Sequence, residues 1–386
     1  MVVTDTAAGI ALDAAAARRF ADDHIVPRAE RFDREGRVPD EFLRQMSRAG
    51  LWAPFLPPEF GGAGLSFTEL GRVHAEIGRG CSSVRSLLTV HTMLAWAVNR
   101  WGTEDQRARW LAPLARGDLL GAVCITEPEA GSDTAGLAAT ATRAAGGWRL
   151  TGTKKWITGG QRADVFLAYA RAGSGLAAFL VPRGTPGVEV EPLADILGTR
   201  ASMLATVRFR DVEVASEALL GPASFVSGLV LSSMLDIGRY SVAAGSLGII
   251  EACLDASAAY TSARSVGGSM LRDLQLIRAK ISDMVTDAAA GRLLVEQAGR
   301  LKDDGDPRTV MATWIAKYFT STAAARHASA AVQIHGANGC GPGYPVARYY
   351  RDAKVMEIIE GSTEIQQLTI ANTAYWHPSP GSTSVV

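Results

Sequence analysis

The periodicity of the apolar residues changes twice along this chain, and that double change limits the fold more than any other feature. In residues 12–115 apolar side chains recur at the spacing of a helix face, as in EFLRQMSRAGLW and SSVRSLLTVHTMLAWAVNRW, with Pro57, Pro58, Gly61 and Gly62 breaking the pattern between segments. From 119 to 222 the pattern turns into short β-rich runs separated by Gly-rich turns: LLGAVCIT, AATATRAAGGWRLTGTKKWIT, ADVFLAYARAGSGLAAFLVPR, GVEVEPL and LATVRFRDVEVA. From 226 to 375 long helical patterns return, including RYSVAAGSLGIIEACLDASAAYTSAR and LIRAKISDMVTDAAAGRLLVEQAGRL. The order predicts an α+β chain: an N-terminal helical domain over 1–118, a β-sheet or barrel domain over 119–225, and a C-terminal helical bundle over 226–375. The ending, 376–386, is rich in Pro, Ser and Gly and is expected to be a disordered tail.

Composition excludes several function classes. The 386 residues are 47% hydrophobic and 20% charged, enough for a large shared core. Lys plus Arg and Asp plus Glu number 39 each, so no global field draws nucleic acid or a membrane surface. The N-terminal stretch lacks the basic segment and apolar core of a secretory signal, and no apolar run is expected to reach membrane-spanning length, which together predict a cytoplasmic protein. Cys81, Cys124, Cys253 and Cys340 lie far apart with no CxxC pair, so reduced and mostly buried thiols are expected. The six histidines show no HExxH or clustered spacing, and no metal site is predicted. GANGCGPG has a superficial glycine pattern but opens no helix after a buried strand, which argues against a dinucleotide fold.

Two segments carry chemistry. CITEPEAGSD (124–133), followed by KKWITGG (154–160), resembles the central β-domain signature of acyl-CoA dehydrogenases, and RDAKVMEIIEGSTEIQ (351–366) is similar to that family's C-terminal signature. Their order and separation match as well, and the likeness runs from about residue 15 to 374. The resemblance implies a helical domain, a β-barrel and a four-helix bundle around one active site, in a homotetramer or homodimer that binds FAD. Removing two hydrogens across Cα and Cβ of a thioester needs a base for the α-proton and an acceptor for the β-hydride, which protein side chains alone do not supply.

The resemblance assigns roles residue by residue. Glu360 stands where the family has its catalytic base; its bland alternative is a surface glutamate. Some relatives carry the base at a site that aligns with Gly238, where glycine has nothing to offer. Arg239 resembles an arginine that tunes the base, or else forms a structural ion pair. Thr126, Gly131 and Ser132 resemble residues around the isoalloxazine and pyrophosphate, and Trp156 and Thr158 resemble the pair that flanks the ring, with Trp156 as barrel core the alternative. Arg264, Gln275, Gln333 and Gly336 resemble residues that reach the adenine end of FAD across a subunit interface, although Val266 replaces an aromatic usual in the family.

The acyl group is constrained by Arg85 and Thr89. They stand four apart, so a helix places both on one face. An arginine there resembles the carboxylate-binding arginine of glutaryl-CoA dehydrogenases; the alternative is a pair with a neighbouring acid at the helix surface. The segment around Arg85 and EIIEGST also resemble the dehydrogenase homologues that make hydroxymalonyl and methoxymalonyl extender units for polyketides, acting on a short oxygenated acyl group on an acyl carrier protein. The implied partners are an acyl thioester on acyl carrier protein or CoA and an electron-transfer flavoprotein or other acceptor. Short-chain or glutaryl-CoA dehydrogenation, and flavin monooxygenation on the same fold, are the competing enzyme readings; a DNA-associated stress protein on this fold is the non-enzymatic one.

Overall fold

The first helical region of the computed structural model, which describes residues 12–173, 175–221 and 226–376, runs through α1 (Ala14–Phe20), α2 (Val26–Glu35), α3 (Asp40–Arg48), α4 (Phe67–Gly80), α5 (Ser82–Trp101) and α6 (Glu104–Arg116). Local signals start these helices: the Ser66 side chain accepts from Glu69 N ahead of α4, and Thr103 and Gln106 form a reciprocal capping box ahead of α6. Their buried faces, among them Phe32, Phe42, Met46, Ile77, Val84 and Leu88, close one core.

Strands follow: β1 (Gly121–Cys124), β2 (Thr140–Ala144), β3 (Gly147–Ile157), β4 (Val165–Ala172), β5 (Gly175–Pro182), β6 (Val188–Pro192), β7 (Ala205–Ala215) and β8 (Leu219–Leu220). They form one mixed sheet in the order β6-β7-β3-β2-β4-β5-β8, with β1 parallel to β4. Of the two forms expected for this region, sheet or closed barrel, the structure has the sheet.

The last region holds α7 (Val226–Ala263), a hairpin of β9 (Ser265–Val266) and β10 (Ser269–Met270), α8 (Gln275–Asp303), α9 (Thr309–His335), α10 (Ala337–Cys340), α11 (Val346–Ile358) and α12 (Thr363–Trp376). Helices α7, α8, α9 and α11 are the bundle, and α12 packs on α9. The GANGCGPG glycines lie between α9 and α11, with no strand leading into them. Trp376, first residue of the expected tail, ends α12; 377–386 lie outside the described residues.

Helix α7 corrects one expectation. By length and composition Gly228–Ala263 is apolar enough to cross a membrane, and 67% of its most apolar stretch is buried. It is the central rod of the fold, with α4, α5, α8, α9 and α11 packed around it, so nearly its whole circumference is apolar.

Helix α11 joins the three regions. Arg348 donates to Glu30 at 2.9 Å and Arg351 pairs with Asp33, both on α2, while Asp352 accepts the Thr199 amide of the β-region at 2.6 Å. Burial pushes the Asp352 carboxyl up to about 6, against the pull of Arg348. The turn that ends α11 is thereby fixed relative to both other regions, and it carries Glu360.

Candidate active site

Helices α5 and α7 run antiparallel as facing rungs. Arg85 lies against Gly245, Thr89 Oγ1 is 2.6 Å from Ser241 Oγ, and Met93 lies beside Gly238. Successive rungs on α5 are one turn, about 6 Å, apart. Glu360 enters at the third rung from the turn after α11, where it has φ 55° and Gly361 has φ 90°. A non-glycine residue held at positive φ is strained and persists only where its surroundings dictate it.

The base candidate is therefore not a surface glutamate. Its Oε2 is buried and has no hydrogen-bonding partner among the described residues. Burial pushes its carboxyl above the ordinary carboxylate range, while Arg239, Lys317 and Arg85 pull it back. Gln366, fully buried, donates to the carbonyls of Glu360 at 3.2 Å and Gly361 at 3.1 Å, and Lys317 Nζ donates to the Gly361 carbonyl at 2.6 Å.

Arg239 makes no ion pair among the described residues: its guanidinium lies over the Trp314 ring at 4.0 Å, with Nε buried and unpartnered. Burial lowers its pKa, opposed by Glu360 and Asp236. Arg85 is not on the surface either. It has no exposure and, among the described residues, no carboxylate within ion-pair distance, and it donates to Thr89 Oγ1 at 3.0 Å, Ser86 Oγ at 3.2 Å and Met356 Sδ at 2.9 Å. Burial pulls its guanidinium down to about 10, opposed by Glu360 and Asp352. Beyond Thr89 the polar line continues through Ser241 to His74 Nδ1 at 2.7 Å; burial drives His74 down to about 3, so it is neutral.

The β-region presents a second constellation beside the Lys155 amide, which donates to the Thr126 carbonyl at 2.8 Å. The pairing of β3 with β7 shifts register between Lys154 and Ile157, and within that irregularity Trp156 takes φ 63° and turns outward, 52% exposed. It is not core. Thr158 follows at the strand end, and the adjoining Gly159 faces Leu87 and Val90 of α5. Thr126 is partly buried, with exposed Gly131 and Ser132 beyond it on a loop pinned by Glu127, whose carboxylate accepts from Lys154 Nζ at 2.7 Å and from the amides of Ala138 and Ala139.

Arg264, Gln275, Gln333 and Gly336 all lie at one end of the bundle, where α7 ends, α8 begins and α9 ends. Each is exposed, and the three side chains hold no hydrogen bond within the chain among the described residues. Stacked Tyr260 and His335, centroids 4.2 Å apart, tie the two helix ends together. An outward tryptophan beside a glycine loop, and unengaged donors at a helix-bundle end, are groups that fit an aromatic ring and a phosphate-bearing cofactor. Among the described residues no cluster of His, Cys, Asp or Glu could hold a metal. Cys81, Cys124 and Cys253 are buried free thiols and Cys340 is exposed.

Sequence reasoning missed Lys317, Gln366, Ser241, His74 and the Glu127–Lys154 pair. Lys317 had a signal: it is the only charged residue between Arg308 and Arg326.

Comparison with known proteins agrees with this geometry. The acyl-CoA dehydrogenase N-terminal, middle and C-terminal domain models match residues 13–118, 122–212 and 228–375. Short-chain specific acyl-CoA dehydrogenase of Bos taurus is 38% identical over 361 residues, covering 92% of this chain and 87% of that protein. Glutaryl-CoA dehydrogenase of Desulfococcus multivorans is 35% identical over 364 residues, covering 92% and 93%. The solved structure of FkbI, described as serving biosynthesis of the methoxymalonyl extender unit of the Fk520 polyketide, superposes with a TM-score of 0.87 at 33% identity, covering 96% of this chain and 100% of that one. The chain belongs to the acyl-CoA dehydrogenase family of FAD-dependent oxidoreductases that act on CH–CH bonds.

Proposed function

We propose that this chain dehydrogenates a short acyl thioester whose far end carries oxygen, with Glu360 as the base. Arg85 carries the reading: a guanidinium without exposure and, among the described residues, without an ion-pair partner, on the helix whose Met93 flanks the base. Such a buried cation requires an anionic or strongly polar neighbour, which an oxygenated acyl terminus supplies.

In this reading Glu360 takes the α-proton at Oε2, the oxygen left without a partner. Its burial makes it a stronger base than a solvated carboxylate. The electrons freed at Cα form the Cα–Cβ double bond as hydride leaves Cβ. Bound FAD, held by Thr126, Gly131, Ser132, Trp156, Thr158 and, from a partner copy, Arg264, Gln275, Gln333 and Gly336, supplies the hydride acceptor. Arg239 keeps positive potential beside the base, and Arg85 and Thr89 fix the acyl terminus.

The likeness to FkbI supports a place in extender-unit biosynthesis; in this reading the acyl group is carried on an acyl carrier protein and electrons leave to an electron-transfer flavoprotein or other acceptor. Exposed Leu276, Val285 and Leu293 along α8 support a homodimer or homotetramer. The reading places the enzyme in the cytoplasm.

Anaerobic titration of the flavin absorbance with butyryl-CoA, glutaryl-CoA, glyceryl-carrier protein and 2-hydroxy-3-oxopropionyl-carrier protein tests it. Bleaching by a carrier-bound polar group, abolished in Glu360→Gln, is the expected result. Bleaching by glutaryl-CoA alone makes Arg85 a carboxylate anchor in acid catabolism. A silent flavin across the panel, with oxygen uptake on NADPH, moves the chain to monooxygenation.

A further inference from the structure

The turn that presents Glu360 is held from behind by a residue outside both signature segments. Lys317 lies in the first third of α9, has no exposure, and aims its ammonium at the end of α11, donating to the Gly361 carbonyl at 2.6 Å and the Glu357 carbonyl at 3.4 Å. Gln366, on α12, donates to the carbonyls of Glu360 and Gly361 from the other side. Two side chains, one from α9 and one from α12, thus converge on a two-residue turn that is left-handed at both positions. No carboxylate lies within ion-pair distance of Lys317 among the described residues, so its charge meets backbone dipoles alone at contact range.

We propose that Lys317 is a positioning residue for the base, acting twice: its N–H groups fix the turn that aims Glu360 at Gly238, and its charge favours the ionised carboxylate. The proposal rests on the reading of Glu360 as the base. A neutral donor would serve for the first role; only a cation serves for the second. The charged groups around the carboxylate are Arg239 from α7, Lys317 from α9 and Arg85 from α5, with the acids Glu357 on α11 and Glu364 on α12 facing Lys317. Burial pulls Lys317 down to about 8, opposed first by Glu360, so near neutral pH it is still the cation this role requires.

Three variants separate the two actions in the FAD-loaded enzyme. Lys317→Met removes both donor and charge, Lys317→Gln keeps a donor without the charge, and Gln366→Leu removes a tie to the turn without altering charge. The readout is the carboxylic C=O band of Glu360 in infrared difference spectra across a pH series, identified by its loss in Glu360→Gln. It needs no substrate. Both Lys317 variants are expected to move the midpoint of that band upward by about one pH unit or more. Gln366→Leu should leave the midpoint in place and lower kcat with the thioester that bleaches the flavin, and Lys317→Arg should hold the wild-type midpoint. An unmoved midpoint in a folded Lys317→Gln or Lys317→Met enzyme overturns the proposal. Should Lys317→Met fail to fold, Lys317→Gln alone decides. If Glu360→Gln retains turnover, the base assignment falls while the infrared series still reports whether Lys317 governs that carboxyl.

Discussion

Gly238 and Glu360 occupy one another's space. A Cβ built at Gly238 would lie 2.6 Å from Cδ of Glu360 and 2.8 Å from Met93 Sδ, so the carboxylate fills the volume that any side chain at 238 would take. A base can stand at one position or at the other. Gly238→Ala should displace the carboxylate and lower kcat on the order of 10²-fold, the scale expected for a misplacement of about 1 Å. Stopped-flow flavin reduction checks this, with bound FAD measured from the absorbance to show that the cofactor site is intact.

Arg85 should govern selectivity more than rate. Its side chain donates to Thr89, Ser86 and Met356, and among the described residues no carboxylate comes within ion-pair distance, Glu360 and Asp352 acting on it only from farther off. Arg85→Met should therefore cost the polar substrate on the order of 10²-fold in kcat/KM, about 2.7 kcal/mol, and leave butyryl-CoA turnover close to wild type. Because the substitution also removes an unpaired buried charge, the melting temperature should hold or rise. Equal losses on both substrates would show that Arg85 only shapes the helix packing.

What the sequence made legible and what it did not divide along one physical line. The switch from helical to alternating periodicity is local, so the order helices, sheet, helices can be read from apolar spacing alone. Residues that stand in a contiguous motif, such as Glu360 in IIEGST or Trp156 in KKWITGG, could be named as candidates from the sequence alone. Lys317 could be marked by its lone charge but not given a role, because the turn at the end of its side chain is 44 residues away in sequence; Gln366 closes a turn five and six residues behind it, which the motif alone does not reveal. The same holds for Arg85. Its helix face was visible, but whether that face looked to water or to α7 depends on packing between segments about 150 residues apart, as the Thr89–Ser241 contact shows. The composition of α7 misled in the opposite direction: burial over most of its surface gives a helix the composition of a membrane span.

Glu127 and Lys154 form a pair with side chains 5% and 1% exposed, 2.7 Å apart. Against the cost of burial, Lys154 and the Ala138 and Ala139 amides hold Glu127 below its ordinary pKa. Removing one partner leaves a buried ammonium uncompensated, a loss of about 3–5 kcal/mol. Glu127→Gln should thus lower the melting temperature and, since this carboxylate pins the loop from Thr126 to Ser132, weaken FAD retention during gel filtration. Loss of stability with full FAD retention would separate the loop from the cofactor site.

His91 predicts the acid side of the stability profile. Its Nδ1 accepts the Gly121 amide at 3.1 Å while Nε2 lies 2.9 Å from the Leu114 carbonyl, so the ring is neutral with its proton on Nε2, bridging α6 to β1. Burial drives it down to about 4, and His74 down to about 3. In the unfolded chain both take up a proton near pH 6.5, whereas the folded protein refuses it, so the stability they contribute is complete above about pH 6.5 and is lost as pH falls toward 4 and then 3. Each histidine adds a slope of about 1.4 kcal/mol per pH unit in that window. Asp352, raised to about 6, works against them: folded protein binds its proton more tightly than unfolded chain, so it adds stability as pH falls from about 6 toward its unfolded value. His327 and His335, also lowered by burial, add to the loss on acidification, while the raised carboxyls of Glu360 and Glu251 oppose it together with Asp352, so the share of a single histidine is what a variant isolates. Urea unfolding between pH 7 and pH 4.5 measures the balance, and His91→Gln, which keeps a donor and an acceptor but cannot be protonated, should change the slope by the share of one histidine. An unchanged slope in that variant would mean that the acid sensitivity arises elsewhere in the fold.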